Sequence, residues 1–239
     1  MKTFVDFLKK KQSLTEEIQS LNESIQLDNL DQEDAKNILK TVNLAEKDIV
    51  RLRYIKETIN LGSIMIYFKT KHLRTAEIQY AYYNKTKKAT ELTKVPLDWQ
   101  IYFRMERSNG FVVCSYLEQI DQLVKDLKTA KTGFEDLCNL ISKNPDEAES
   151  IVKNYKKLKG NFEVSFADGK LMVVILPAKA KCKRDTMWTP RLMYDVKENK
   201  KMLGINDNQL GEWYDYKKYD GFAADVKSVA TAASTFKKR

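Results

Sequence analysis

The stretch that most restricts how this chain can fold is Trp99 to Tyr116, WQIYFRMERSNGFVVCSY. Ile101, Phe103 and Met105 alternate with Tyr102, Arg104 and Glu106, the two-residue period of a strand with one face against a core. Asn109-Gly110 follows, and then Phe111, Val112, Val113, Cys114 and Tyr116. Asn-Gly supplies the two positive-φ positions of a type I′ turn. A β-hairpin turning on Asn109-Gly110 is therefore expected in the middle of the chain.

Before it, the periodicity is helical. Phe4, Phe7, Leu14, Ile18, Leu21 and Ile25 fall in a heptad over residues 3–27, with Lys11 interrupting the seam, which predicts an amphipathic helix. After Leu27-Asp28-Asn29-Leu30, Asp31 is a good N-cap, and Ile38, Val42, Ala45, Ile49, Leu52 and Ile59 recur at spacings of three and four. A second helix is expected to run to about Asn60, giving an αα-hairpin that either lies on its own sheet or forms an intermolecular coiled coil. Gly62 is read as the end of that helix. Ser63 to Thr70 and Thr75 to Tyr83 then read as strands, with Ala76, Ile78, Tyr80 and Tyr82 on one face of the second.

From Leu117 the pattern is helical again, with Gly133 a candidate kink and Asn144-Pro145 starting a shorter helix to about Leu158. Asn161 to Ala167, a turn at Asp168-Gly169, and Leu171 to Leu176 form a second hairpin. The wholly apolar LMVVIL arm is expected inside a sheet, buried on both faces. The segment after Pro177 reads as a basic loop passing into irregular structure, and Phe222 to Phe236 as a small-residue helix. Together these predict an α+β protein: antiparallel sheet and hairpin elements packed with an N-terminal helical hairpin, and a mixed C-terminal half. The expected segments are 1–60 (helical hairpin), 61–116 (β meander), 117–160 (helical) and 161–239 (hairpin plus basic, aromatic region), sharing one domain or dividing it.

The 239 residues are 43% hydrophobic and 10% aromatic, a composition that can build a core. The net charge is +9. Residues 61–116 hold nine basic against four acidic residues and 161–239 fifteen against ten, while the helical segments are near balance. An anionic partner is favoured. Three widely spaced cysteines, Cys114, Cys138 and Cys182, with no C-x-x-C spacing, point to free thiols in a reducing compartment. No run reaches the ~18 apolar residues of a membrane span, and MKTFVDFLKKK lacks a signal-peptide pattern. A soluble cytoplasmic chain, or a component of a virus particle built in a cytoplasm, is expected, with no membrane partner.

Catalytic signals are sparse. His72 is the single histidine, and one histidine cannot build a histidine-based metal site. Cys182, between Lys181 and Lys183, has an electropositive setting but no identifiable base. Neither common glycine-rich phosphate loop is present. No catalytic residue, metal or cofactor is assigned, and a non-enzymatic subunit of a large assembly, such as a virion or head–tail connector component, is expected. Its partners would be copies of itself and other subunits. The candidate contact residues are Phe4, Phe7, Leu14, Ile18, Leu21 and Ile25 of the heptad face and Phe222, Val226, Val229 and Phe236 of the C-terminal segment, which is expected to be removable without unfolding the rest.

The alternative is DNA or RNA binding. Tyr80, Tyr82 and Tyr83 precede Lys85, Lys87 and Lys88, and Arg104 and Arg107 follow Tyr102 and Phe103. Aromatic faces stack on bases while cations meet phosphate. Lys181, Lys183 and Arg184, with Lys179, form a second basic cluster.

Overall fold

The computed structural model describes residues 25–91, 100–105, 112–114, 119–176, 189–205 and 213–234. The chain divides into two compact units, one of residues 1–69 and 79–94, the other of residues 70–78 and 95–239. Both mix helix and sheet, so the α+β class holds.

In the first unit, β1 (Gln26–Asp28) runs parallel to β2 (Ile49–Lys56), and β2 pairs antiparallel with β3 (Leu61–Phe68). The order continues to β4 (Thr75–Asn84), which also pairs with β5 (Ala89–Glu91). Helix α1 (Gln32–Val42) opens with a capping box: the Asp31 carboxylate accepts from the Asp34 N–H at 2.8 Å, and the Asp31 N–H donates to the Asp34 side chain at 3.0 Å. Two orphan amide donors are satisfied at once. Ala35, Ile38, Leu39 and Val42 form its buried stripe.

The expected N-terminal helical hairpin is not shown among the described residues. Residues 1–24, and with them most of the heptad, lie outside the described residues, but the end of that segment is strand β1. The second helix stops at Val42, where Asn43 turns left-handed (φ 56°) and its N–H bonds the Leu39 carbonyl. Ile49 and Leu52 belong instead to β2, whose IVRLRYIK is β-branched, aromatic and paired on both sides. Ala45, Ile49 and Leu52 share a helical spacing, but residues 49–56 pair with β3 on one side and, at residues 51–53, with β1 on the other. Ile59, placed on the helix stripe by its spacing, sits 86% exposed in the β2–β3 turn.

Gly62 terminates no helix. It lies within β3, opposite Lys56, where an added Cβ would stand 2.3 Å from the Ile55 carbonyl oxygen and 2.6 Å from the Tyr54 ring. Glycine in a strand marks such a close backbone approach. Gly62→Ala is expected to cost about 3 kcal/mol, because a backbone oxygen cannot rotate away. Chemical denaturation of the purified variant checks this, and a loss under ~1 kcal/mol would mean that the hairpin relaxes freely.

In the second unit β6 (Gln100–Arg104) and β7 (Val112–Cys114) pair antiparallel, as the hairpin reading expects. The register differs. A two-residue turn on Asn109-Gly110 would set Phe103 opposite Tyr116, whereas Phe103 faces Val112. Residues 106–111 lie outside the described residues. Helix α2 (Ile120–Lys143) is continuous through Gly133, so the glycine makes no break; its Cα side meets the buried Leu158 side chain, where a Cβ would come within 2.6 Å. Pro145 opens a 3-10 turn leading into α3 (Ala148–Asn154).

The second hairpin forms as expected. β8 (Phe162–Ala167) and β9 (Lys170–Ile175) meet at Asp168 (φ 53°) and Gly169 (φ 73°), both left-handed as a type I′ turn requires. β9 is interior, with Leu171, Val173 and Ile175 buried and Met172 and Val174 half-buried, so one face of LMVVIL is less covered than expected. The region read as irregular supplies β10 (Pro190–Asp195), β11 (Lys200–Ile205) and β12 (Trp213–Asp215), completing a sheet ordered β12-β11-β10-β9-β8. Asn199 (φ 48°) closes the β10–β11 turn. Helix α4 (Tyr219–Ala233) then packs against α2, burying Phe222, Val226, Val229 and Ala233.

Candidate functional site

Among the described residues, the tyrosine and lysine patch expected to meet nucleic acid is mostly engaged inside the chain. Tyr83 is fully buried and donates its hydroxyl to Asp34 of α1, while its ring stands edge-to-face with Tyr54 (6.2 Å, 81°). Burial, then the Asp34 hydrogen bond, raises the Tyr83 hydroxyl well above its ordinary value, so it stays a donor. Lys85 lies 4.8 Å above the Tyr54 ring, and its N–H bonds the Asn60 carbonyl at 3.0 Å, joining the β4–β5 turn to the β2–β3 turn. Lys88 bonds Glu33 at 2.6 Å and Asp31 at 3.3 Å. The Glu33 carboxylate raises the Lys88 ammonium, and the Asp34 N–H lowers the Asp31 carboxyl.

Lys85 and Lys87 are both exposed in that turn, and Lys88 is half-buried. Tyr80 and Tyr82 are in β4, their side chains outside the described residues. In the second unit, Arg104 bonds the buried Glu77 at 3.1 Å. Arg107, Lys181, Lys183, Arg184 and Cys182 lie outside the described residues, as do Phe4, Phe7, Leu14, Ile18, Leu21 and Phe236. Ile25 lines a shallow depression with Leu27, Ala35 and Leu39.

Three of the C-terminal contact candidates, Phe222, Val226 and Val229, are core residues. Phe222 and Val226 are fully buried and Val229 nearly so, with Phe222 edge-to-face on Phe103 (6.2 Å, 83°). A face filled by its own unit is not offered to a neighbour. Between Phe222 and Val226 stands Asp225, 3% exposed, whose carboxylate accepts the N–H groups of Lys71, His72 and Leu73 at 2.7–3.2 Å. Consecutive amides converging on one carboxylate form an anion nest. The His72 ring rests against Gly221, where a Cβ would come within 2.7 Å. The single histidine is thus part of a helix-to-loop latch. Sequence reasoning missed this latch, although one acid on an otherwise apolar helix face was its signal.

Carboxylates on α2 have similar structural work. Asp126 accepts from Asn161 (2.9 Å), Glu135 from the Tyr216 hydroxyl (3.1 Å), and Asp136 from Tyr155 (2.9 Å) and Lys157 (2.8 Å). The Tyr219 hydroxyl donates to the Leu127 carbonyl at 2.6 Å. Burial raises the hydroxyls of Tyr155, Tyr216 and Tyr219. Burial likewise pushes the Cys138 thiol up to about 12, which keeps it protonated and a poor nucleophile.

Among the described residues no cluster of three or more His, Cys, Asp or Glu is placed to hold a metal, and no helix is long and apolar enough to cross a membrane. Comparison with protein-family models, curated proteins and solved structures finds no match to this chain.

Proposed function

We propose that the chain is a non-enzymatic structural and interaction subunit of a large multiprotein assembly, of the kind that builds a bacteriophage or other virus particle, for example at its head–tail connection. The observation that carries this reading is the open edge of the five-stranded sheet at β8, a six-residue strand with no strand on its outer side among the described residues. An edge of that length is a template for pairing with another chain. The +9 charge adds affinity for acidic subunits or packaged nucleic acid. Direct nucleic-acid recognition by the Tyr80–Lys88 patch draws less support, because Tyr83 and Lys88 already have partners within the chain.

The test is gentle isolation of a tagged chain from its native cells. Recovery with other proteins in fixed ratio is the expected result. Recovery alone, at equal yield with and without mild cross-linking, would contradict the reading.

A further inference from the structure

The ends of the two sheets are unequal. β1, β7 and β12, which end their sheet orders, have three residues each, while β8 has six. Short edge strands are one way proteins blunt an exposed ladder, and lysine or proline on the edge is another. β8 uses neither, its sequence being FEVSFA with Glu163 its single charge, although the short helix α3 packs against it.

Its backbone direction follows from the hairpin. Leu176 N–H bonds the Asn161 carbonyl at 2.7 Å, and a two-residue turn closes the pair Ala167 and Lys170. Bonding alternates along an antiparallel ladder, so Asn161, Glu163, Ser165 and Ala167 face β9, and the N–H and C=O groups of Phe162, Val164 and Phe166 point outward. Their side chains are half-buried, whereas Glu163, Ser165 and Ala167 are exposed on the opposite face. Asn161, held by Asp126 of α2, anchors the start of the strand.

We propose that β8 pairs antiparallel with β8 of a second copy of this chain about a two-fold axis at Val164. Val164 then faces its own counterpart and Phe162 faces Phe166, so outward backbone groups meet outward groups with about six hydrogen bonds. The half-buried apolar residues join one continuous face. On the other face Glu163 lies opposite Ser165, which keeps like charges apart. Centring on Glu163 instead would oppose two glutamates, and centring on Ser165 would leave Phe162 opposite the turn residue Asp168. Self-pairing around Val164 uses the whole strand and has neither fault.

This deepens the assembly reading and rests on it, by naming one partner and one contact. The contact is small, so a dissociation constant on the order of 10–100 µM is expected. Sedimentation equilibrium of the full chain up to about 1 mM should show a monomer–dimer equilibrium. Ser165→Glu places glutamates opposite each other twice and should weaken the dimer by about ten-fold, while Ser165→Lys, opposite Glu163, should bind at least as tightly as the native chain. Both changes are on an exposed face, and unchanged circular dichroism and thermal midpoints would confirm the fold. Self-association equally strong in Ser165→Glu would overturn the β8 contact while leaving the assembly reading in place. A chain monomeric throughout would also overturn it, and the assembly reading would then be decided by the co-isolation experiment.

Discussion

Replacing Asp225 by alanine is expected to destabilise the second unit by about 3–5 kcal/mol. The carboxylate is 3% exposed and accepts three consecutive backbone N–H groups, with His72 and Leu73 closest at 2.7 and 2.8 Å. A buried donor left without its acceptor costs roughly 1–3 kcal/mol, and partial access of water to Lys71 and His72 keeps the total below three full penalties. Asp225→Asn retains one acceptor oxygen but turns an NH2 group toward the nest, so its loss should be intermediate. Urea unfolding measures both. Hydrogen exchange adds a local readout: the amides of residues 71–73 should exchange faster in either variant, and unchanged exchange with a loss under ~1 kcal/mol would remove the latch from the account.

Phe222→Ala should be comparably damaging, at about 3–5 kcal/mol, with Phe222→Leu costing less than half as much. The ring is fully buried, edge-to-face on Phe103, one turn of helix from Asp225 and Val226. Alanine leaves a cavity in a region where α4 meets α2 and also loses the aromatic contact. Unfolding of the variant monitored by circular dichroism and by tryptophan fluorescence checks this. For the same reason, deleting residues 222–239 should unfold the second unit rather than detach a docking segment. A truncated chain with native melting behaviour would refute both expectations.

Much of the fold could be read wherever one local signal had no competitor. Asp168-Gly169 between an alternating arm and an apolar one favours a tight two-residue turn, and β8–β9 form around it. The 24-residue α2 follows from a sustained apolar stripe. Misreadings arose where two periods overlapped. Ile38, Val42, Ala45, Ile49 and Leu52 fit a helix until long-range pairing is counted, and the ladders that make residues 49–56 a strand come from residues 26–28 and 61–68. The hairpin read around Asn109-Gly110 pairs in a different register, with Phe103 facing Val112. β11 was hidden by Lys200 and Lys201 at its turn end, the first exposed and the second half-buried.

The candidate surfaces were less legible than the fold. Phe222, Val226 and Val229 announce an apolar helix face, but nothing in their spacing says whether α2 or a second molecule covers it. Tyr83 and Lys88 announce an aromatic and basic patch, but their partners Asp34 and Glu33 lie some fifty residues earlier. The place of β8 at the end of its sheet leaves no mark on composition at all, because edge position is a property of the assembled sheet.

The proposal that this chain works as one piece of a larger particle is tested most directly by its mass in extracts of the cells that make it. Size fractionation under native conditions, with the chain followed by quantitative mass spectrometry, should place it in complexes far heavier than the 27.8 kDa of one copy. Elution at the monomer mass, in extracts where known large complexes stay intact, would contradict the account.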